Sequence, residues 1–288
     1  MSLVIQLFLN SIIAASIYAL IALGFNLVYG TTRVFNLAHG VLAVVGAYAV
    51  FYLSKELELP YWVGITGGIL CAGVIGFLLD RFIFRRLRDR KASVLVMLIA
   101  SLGAMTAIQA VLAMVFTSQF QTLSNGSLGH QVFEVFGGAI TLIQVIAIGA
   151  VAVVYAGLWF LLHTTLFGKA VRAISDDEEV ARIVGIPTQR IIGIIFFIGS
   201  AIAGLAGILA GLDTGIQPTS GMGLLLGGAI ASIIGGIGNV TGGIVGALIL
   251  GLVENFGIWK LSGEWKGAIS FVVLIIFLVW RPQGIFKK

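Results

Sequence analysis

Long apolar runs constrain this chain more than any other feature. They recur along all 288 residues, and a helix needs about 20 apolar residues to cross the hydrocarbon of a bilayer. Spans are expected at 4–29, 37–53, 61–79, 93–116, 139–163, 191–212, 241–259 and 267–281. In lipid every backbone polar group must find its partner inside the segment, so runs of this length become helices. The expected fold is an all-α integral membrane protein, a polytopic bundle of about eight transmembrane helices that takes residues 1–288 as one domain. A ninth apolar piece, 225–236, is too short to cross comfortably and ends in GGIGNVTGG. It reads as a half-helix or a re-entrant segment, which is tolerated only where protein or a watery cavity surrounds it. The first run begins at Leu3 with no basic region ahead of it. It is longer than a signal-peptide core and is read as a retained helix.

Composition supports this reading. Charged residues are 10% of the chain, against about 25% in soluble domains. Glycine supplies 39 positions, and small residues let helices approach closely in lipid. In GSAIAGLAGILAG, Gly199, Ala203, Gly207 and Gly211 fall four apart with Ser200 and Gly204 beside them. They form a small-residue ridge expected to pack helices, either within the subunit or at a subunit seam. Gly243, Ala247 and Gly251 form a second ridge. Fourteen of the seventeen basic residues fall in the loops at 30–36, 80–92 and 164–190 and in the C-terminal tail, all on one face if 225–236 crosses. By the positive-inside rule that face is cytoplasmic. The net charge of +5 is thus a topology signal, not a nucleic-acid footprint. Cys71 is the single cysteine, which excludes a disulfide within the chain.

Eight of the twenty-nine charged residues crowd into 168–190, between apolar runs. The pattern predicts a separately capped helix. Ser175 is placed as its N-cap with Glu178 three residues on, and Asp176, Asp177 and Glu179 join Glu178 near its start, where the helix dipole favours acids. Val180, Ile183 and Val184 make an apolar stripe at helical spacing, and Gly185 before Ile186-Pro187 ends the helix. Thr188 is expected to cap the helix that follows. Such a run is either a solvated loop or a docking helix for a soluble partner.

Polar residues at membrane depth mark pathway candidates. Asn26, Asn36 and His39 bracket the break LVYGTTRVFNLAHG, and Asn239 occupies a second glycine-flanked break with the same Asn-x-x-x-Gly spacing, Asn36 to Gly40 and Asn239 to Gly243. Breaks of this kind expose helix ends where a zwitterion passes, while an amide capping the next helix explains the asparagines equally well. Glu254 is the acid set well inside an apolar span; such an acid reads either as functional or, since it lies near the outer end of its helix, as one that reaches the interface.

Four stretches carry a resemblance. EVARIVG, Glu179 to Gly185, resembles the EAA-x3-G core of the cytoplasmic loop in permease subunits of bacterial ABC importers, though its usual Leu-Pro ending is absent here. YALIALGFNLVYGTTRVFNLAHG, FGKAVRAISDDEEVARIVGIPTQR with GSAIAGLAGILAG, and GGIGNVTGGIVGALILG resemble, in order, the permeases of branched-chain amino acid importers, as does the ending SFVVLIIFLVWRPQGIF. The resemblance implies a type II ABC importer subunit in the bacterial cytoplasmic membrane. Its implied partners are ATP-binding subunits, a second homologous permease and an extracytoplasmic substrate-binding protein, and its cargo is leucine, isoleucine, valine or a related neutral amino acid or amide. It also implies an ATPase-coupling helix made of Ser175, Asp176, Glu178, Glu179, Val180, Ala181, Ile183, Val184 and Gly185. The chain has no G-x-x-x-x-G-K-[ST], since Gly168-Lys169 is followed by Ala170. ATP hydrolysis is therefore expected in partner chains, and neither a cofactor nor a metal is expected in this one.

Two other classes fit less well. An ion-coupled secondary transporter needs ionisable or clustered oxygen ligands at mid-membrane, and Glu254 stands nearly alone there. A membrane enzyme needs a nucleophile with its base or a metal cluster, and histidines scattered at 39, 130 and 163 beside one cysteine do not make one.

Overall fold

The computed structural model describes residues 2–123 and 131–286; His130 lies outside them. Helix α1, Ser2–Thr32, is followed by α2, Ala38–Phe51, extended by a π-helical turn at Tyr52–Glu56. Helix α3, Tyr61–Leu79, continues through a π turn at Asp80–Phe84 into α4, Arg85–Asp89. Then come α5, Val94–Phe116, strands β1, Val132–Val135, and β2, Gly138–Thr141, and α6, Leu142–Thr164. The chain proceeds through α7, Leu166–Asp176, α8, Glu178–Ile183, α9, Thr188–Thr214, α10, Ser220–Gly235, and α11, Val240–Gly257. A 3-10 turn at Gly263–Trp265 leads into α12, Lys266–Trp280.

Among the described residues, eight helical segments are long and apolar enough to cross a membrane, and they match the eight expected spans to within a few residues except the third, which runs ten residues past its expected end to Asp89. The strands pair as one antiparallel hairpin, with Phe136 and Gly137 both at positive φ (51° and 83°). Two such residues make the primed turn that suits the twist of paired strands. Local signals set several helix ends. The Ser93 hydroxyl accepts from the Val96 amide at the start of α5, and Thr141 and Gln144 close a capping box on α6.

Helices α1, α2 and α9 form the buried centre, while α5, α6 and α12 turn most of their apolar surface outward. The ridge on α9 explains the close contact at the centre. Gly199 lies against Gly24 and Val28 of α1, a side chain at Gly207 would overlap the Ala43 carbonyl of α2, and Gly211 faces Ala47. Ala203 is fully buried between them. Ser200 and Gly204 face the other way, onto Gly76 and Ala72 of α3. This ridge therefore lies inside the subunit, and it is the reason α9 touches three helices at once. The second ridge seats α11 on α1, with Gly243 against Ala22 and Asn26 and Gly251 against Ser11 and Ala15.

Two helices begin inside the bundle. His39 touches Gly24, which is eight residues, or about 12 Å at 1.5 Å per residue, before the end of α1. The first turn of α10, at Gly221, lies against Gly40 in the first turn of α2. The ninth apolar piece is thus a 16-residue helix, about 24 Å long, that starts five residues earlier than its sequence suggests and is covered by α1, α2 and α11.

Candidate functional site

Helix ends sort by charge. At the basic end, Gly30 lies beside Gly238 and Ser175, Arg88 reaches Gln189, and the amide of Phe286 donates to the Gly235 carbonyl (3.0 Å). At the opposite end, Tyr61 donates to Leu123 O (2.8 Å), Gln121 pairs with Ile216, and Gln144 donates to Asp213 (3.0 Å).

The charged island folds as two helices, not one. Helix α7 runs to Asp176, so Ser175 sits in its last turn and is not an N-cap. The cap of α8 is Asp177, whose carboxylate accepts from the Glu179 and Val180 amides at 2.8 and 3.0 Å. An aspartate at φ −153°, ψ 110° is extended, as an N-cap requires, and its charge favours the helix start. Ser175 instead ties α7 to α1. Its hydroxyl donates to the Gly30 carbonyl, while Arg33 beyond α1 donates to the Ser175 carbonyl (3.0 Å). Thr188 likewise is no cap. It is the first residue of α9, follows Pro187 and is buried. Gly185 does end α8, at φ 89°.

Helix α8 is amphipathic in an unusual sense. Ala181 is buried on its inner side, and Arg182 pairs with Glu178 (2.8 Å). Val180, Ile183 and Val184 are 54%, 80% and 69% exposed, and Glu179 and Asp176 stand beside them in solvent. No described residue of this chain covers that apolar stripe.

Behind the tip, α7 and α9 tie the island to the bundle at two points. On one side the Ser175 contacts reach the end of α1, where Asn26 takes hold of the α10–α11 break: its amide donates to Asn239 O (3.0 Å) and its carbonyl accepts from the Gly238 amide (2.9 Å). Asn26, Gly30, Ser175 and Asn239 line one cavity of about 390 Å³. On the other side Gln189 of α9 donates to Asp89 (3.1 Å), and Arg88 pairs with Asp80 at 2.7 Å, 8% and 2% exposed.

The four pathway candidates separate here. Asn26 engages both atoms of its amide on the α10–α11 break, and the Asn239 Oδ1 caps α11 by accepting from the Gly242 amide (2.9 Å). Asn36 accepts from the Ala38 amide (3.0 Å) in the turn that leads into α2, but its buried Nδ2 has no partner among the described residues. His39 is buried edge-on to Phe25, and neither ring nitrogen reaches hydrogen-bond geometry there, with the Ile21 carbonyl beside the ring. The repeated Asn-x-x-x-Gly has one physical cause: the asparagine starts a helix and the glycine one turn later lets another helix approach.

Glu254 is enclosed by protein. It is 2% exposed, accepts from Tyr18 (2.9 Å) and Ser270, and pairs with Lys266 at 3.5 Å, which joins α1, α11 and α12. Sequence reading missed this cluster, as it missed Arg33 and the Arg88–Asp80 pair. Acids at helical depth in the sequence, Asp80 and Glu254, were the available signal, because lipid forces each to find a partner. No group of three or more metal-ligating side chains occurs among the described residues.

A bundle of apolar helices with broken helices meeting at its centre and a charged tip at one end defines a multi-pass membrane permease. Residues 7–278 match the family described as branched-chain amino acid transport system, permease component, and the chain belongs to that family. It is 32% identical to the high-affinity branched-chain amino acid transport system permease protein LivH of Escherichia coli (strain K12), over 99% of this chain and 96% of that protein. It is 29% identical to BraD, a permease protein of the same description from Pseudomonas aeruginosa, again over 99% and 96%. The ribose import permease protein RbsC of Escherichia coli (strain K12) is 26% identical over 93% of this chain and 83% of its own length. The family is one of transport subunits.

Proposed function

We propose that this chain is the membrane-spanning permease of an ABC importer that carries branched-chain or related neutral amino acids across the bacterial cytoplasmic membrane. The island at 164–190 is its cytoplasmic coupling loop. An ATP-binding subunit docks on α8 and the last turn of α7, where Val180, Ile183 and Val184 enter its surface. A second homologous permease completes the pathway, and an extracytoplasmic binding protein delivers the cargo. Asn36 and His39 are the candidates of this chain to meet that cargo, since they stand at the central helix break and carry buried polar atoms without a hydrogen-bond partner among the described residues.

The observation that carries the reading is the exposed apolar stripe of α8. Force from ATP hydrolysis must enter through a contact at that end, and the helices on either side of α8 are tied to the bundle, α7 to α1 and α9 to α3–α4. Placing an unpaired charge in a buried docking site costs several kcal/mol. Val184→Asp is therefore expected to release the ATP-binding subunit or to uncouple its hydrolysis from uptake, while the chain still inserts in the membrane. Co-purification of the ATP-binding subunit and substrate uptake are the measurements. Full binding with full uptake would return α8 to the status of a solvated loop.

A further inference from the structure

The geometry points to a binding site for the headgroup of an anionic phospholipid in the cavity between the basic end of α3 and the first turn of α9. The cavity measures about 510 Å³ and is lined by Arg81 and Arg85 from the α3–α4 junction and by Arg190 and Gln189 from α9. Asp80 also lines it, but that carboxylate is neutralised by Arg88 at 2.7 Å. Arg85 has only a loose 4.0 Å contact with Asp89, with both side chains about half exposed, and no acid pairs with Arg81 or Arg190 among the described residues. Three arginines thus line one concavity, with Asp80 paired to Arg88 and Asp89 at the side of Arg85 and Gln189 as the acids near it. Guanidinium is the side chain whose planar fork matches phosphate oxygens.

Position decides between a lipid and a free anion. Arg81 lies twenty residues beyond Tyr61, about 30 Å along the helix axis, which is the thickness of the hydrocarbon layer. The arginines therefore stand at headgroup level. On the membrane side the cavity is walled by Phe77 and Ile194, apolar side chains against which an acyl chain lies. Basic pockets between transmembrane helices on the inner face hold anionic headgroups for these reasons. Topology alone asks only for positive charge on one face. It does not ask Arg190 to come back, more than a hundred residues later, to the rim where Arg81 and Arg85 stand. A lipid seated there bridges α3 and α9 directly beside Pro187, where the chain leaves α8.

The test uses the purified full-length chain in neutral detergent, titrated with phosphatidylglycerol or phosphatidylcholine, with retained lipid read by native mass spectrometry. Each arginine near the headgroup level contributes about a fivefold preference for anionic lipid, so Arg81→Gln with Arg190→Gln is expected to weaken phosphatidylglycerol retention by about 30-fold. Each single variant should give about fivefold, with phosphatidylcholine unchanged. Arg81→Lys with Arg190→Lys should keep most of the binding. Arg86→Gln with Arg90→Gln, which removes the same charge from outside the cavity, should leave it intact. Equal losses in the two Gln pairs, or no loss in either, overturn the site. Displacement of phosphatidylglycerol by millimolar inorganic phosphate overturns the lipid assignment in favour of a soluble anion. All four side chains are at least partly exposed, and surface substitutions typically shift stability by no more than about 0.5 kcal/mol.

Discussion

Asp177 and Asp176 are neighbours of identical chemistry, and only the fold distinguishes them. Asp177 caps α8 through two backbone amides, whereas Asp176 ends α7 in solvent. Removing an N-cap typically costs about 1 kcal/mol, and a helix of six residues has little else to hold it. Asp177→Ala is accordingly expected to fray α8 and reduce co-purification of the ATP-binding subunit several-fold. Asp177→Asn, another good cap, should largely spare it, and Asp176→Ala should do nothing measurable. Equal effects at the two positions would show that charge, not capping, matters here. The sequence SDDEE was legible as a helix start but not as a particular cap. Ser175, Asp176 and Asp177 are all competent caps, and the choice fell on Asp177 because Gly30 and Arg33, about 140 positions away, claim Ser175.

Among elements, the junction of α3, α4 and α9 shows how a buried charge restrains packing. Asp80 and Arg88 lie about two turns apart in sequence and pair almost out of solvent, and Gln189 ties the same junction to the start of α9. Removing one partner of a buried pair typically costs about 3–5 kcal/mol, because the other charge is left stranded, whereas replacing both by apolar groups is often close to neutral. Asp80→Asn is expected to lower the thermal unfolding midpoint of the purified chain markedly, and Asp80→Asn with Arg88→Met to recover most of the loss. An additive double variant would mean that the two side chains are not coupled. The helical spans themselves were readable from apolar length alone, since lipid leaves a twenty-residue apolar run no alternative. The start of α10 was not readable, because what fixes it is the close packing of Gly221 on Gly40 of α2, far away in the sequence, and not a cap or an apolar run of its own.

For the whole molecule, orientation is the property from which the rest follows. With Cys71→Ser as background, Glu134→Cys on the outer hairpin is expected to react with a membrane-impermeant thiol reagent in intact cells, and Glu179→Cys on α8 to be protected; both side chains are exposed. The reverse pattern would invert the bundle and remove the docking proposal with it. By itself the sequence determined that the chain is a helical membrane protein, where its spans lie, which face is basic and that one charged helix stands apart. These are consequences of hydrophobic length, charge placement and local capping, all of which act over a few turns. Only the tertiary structure decided that the α9 ridge packs within the subunit, that Asn26 holds the break before α11 while the buried Asn36 Nδ2 has no partner among the described residues, and that Glu254 is buried among Tyr18, Ser270 and Lys266. Each of those depends on which residue, tens or hundreds of positions away, reaches a polar atom or a glycine first, and that competition is settled by packing in three dimensions.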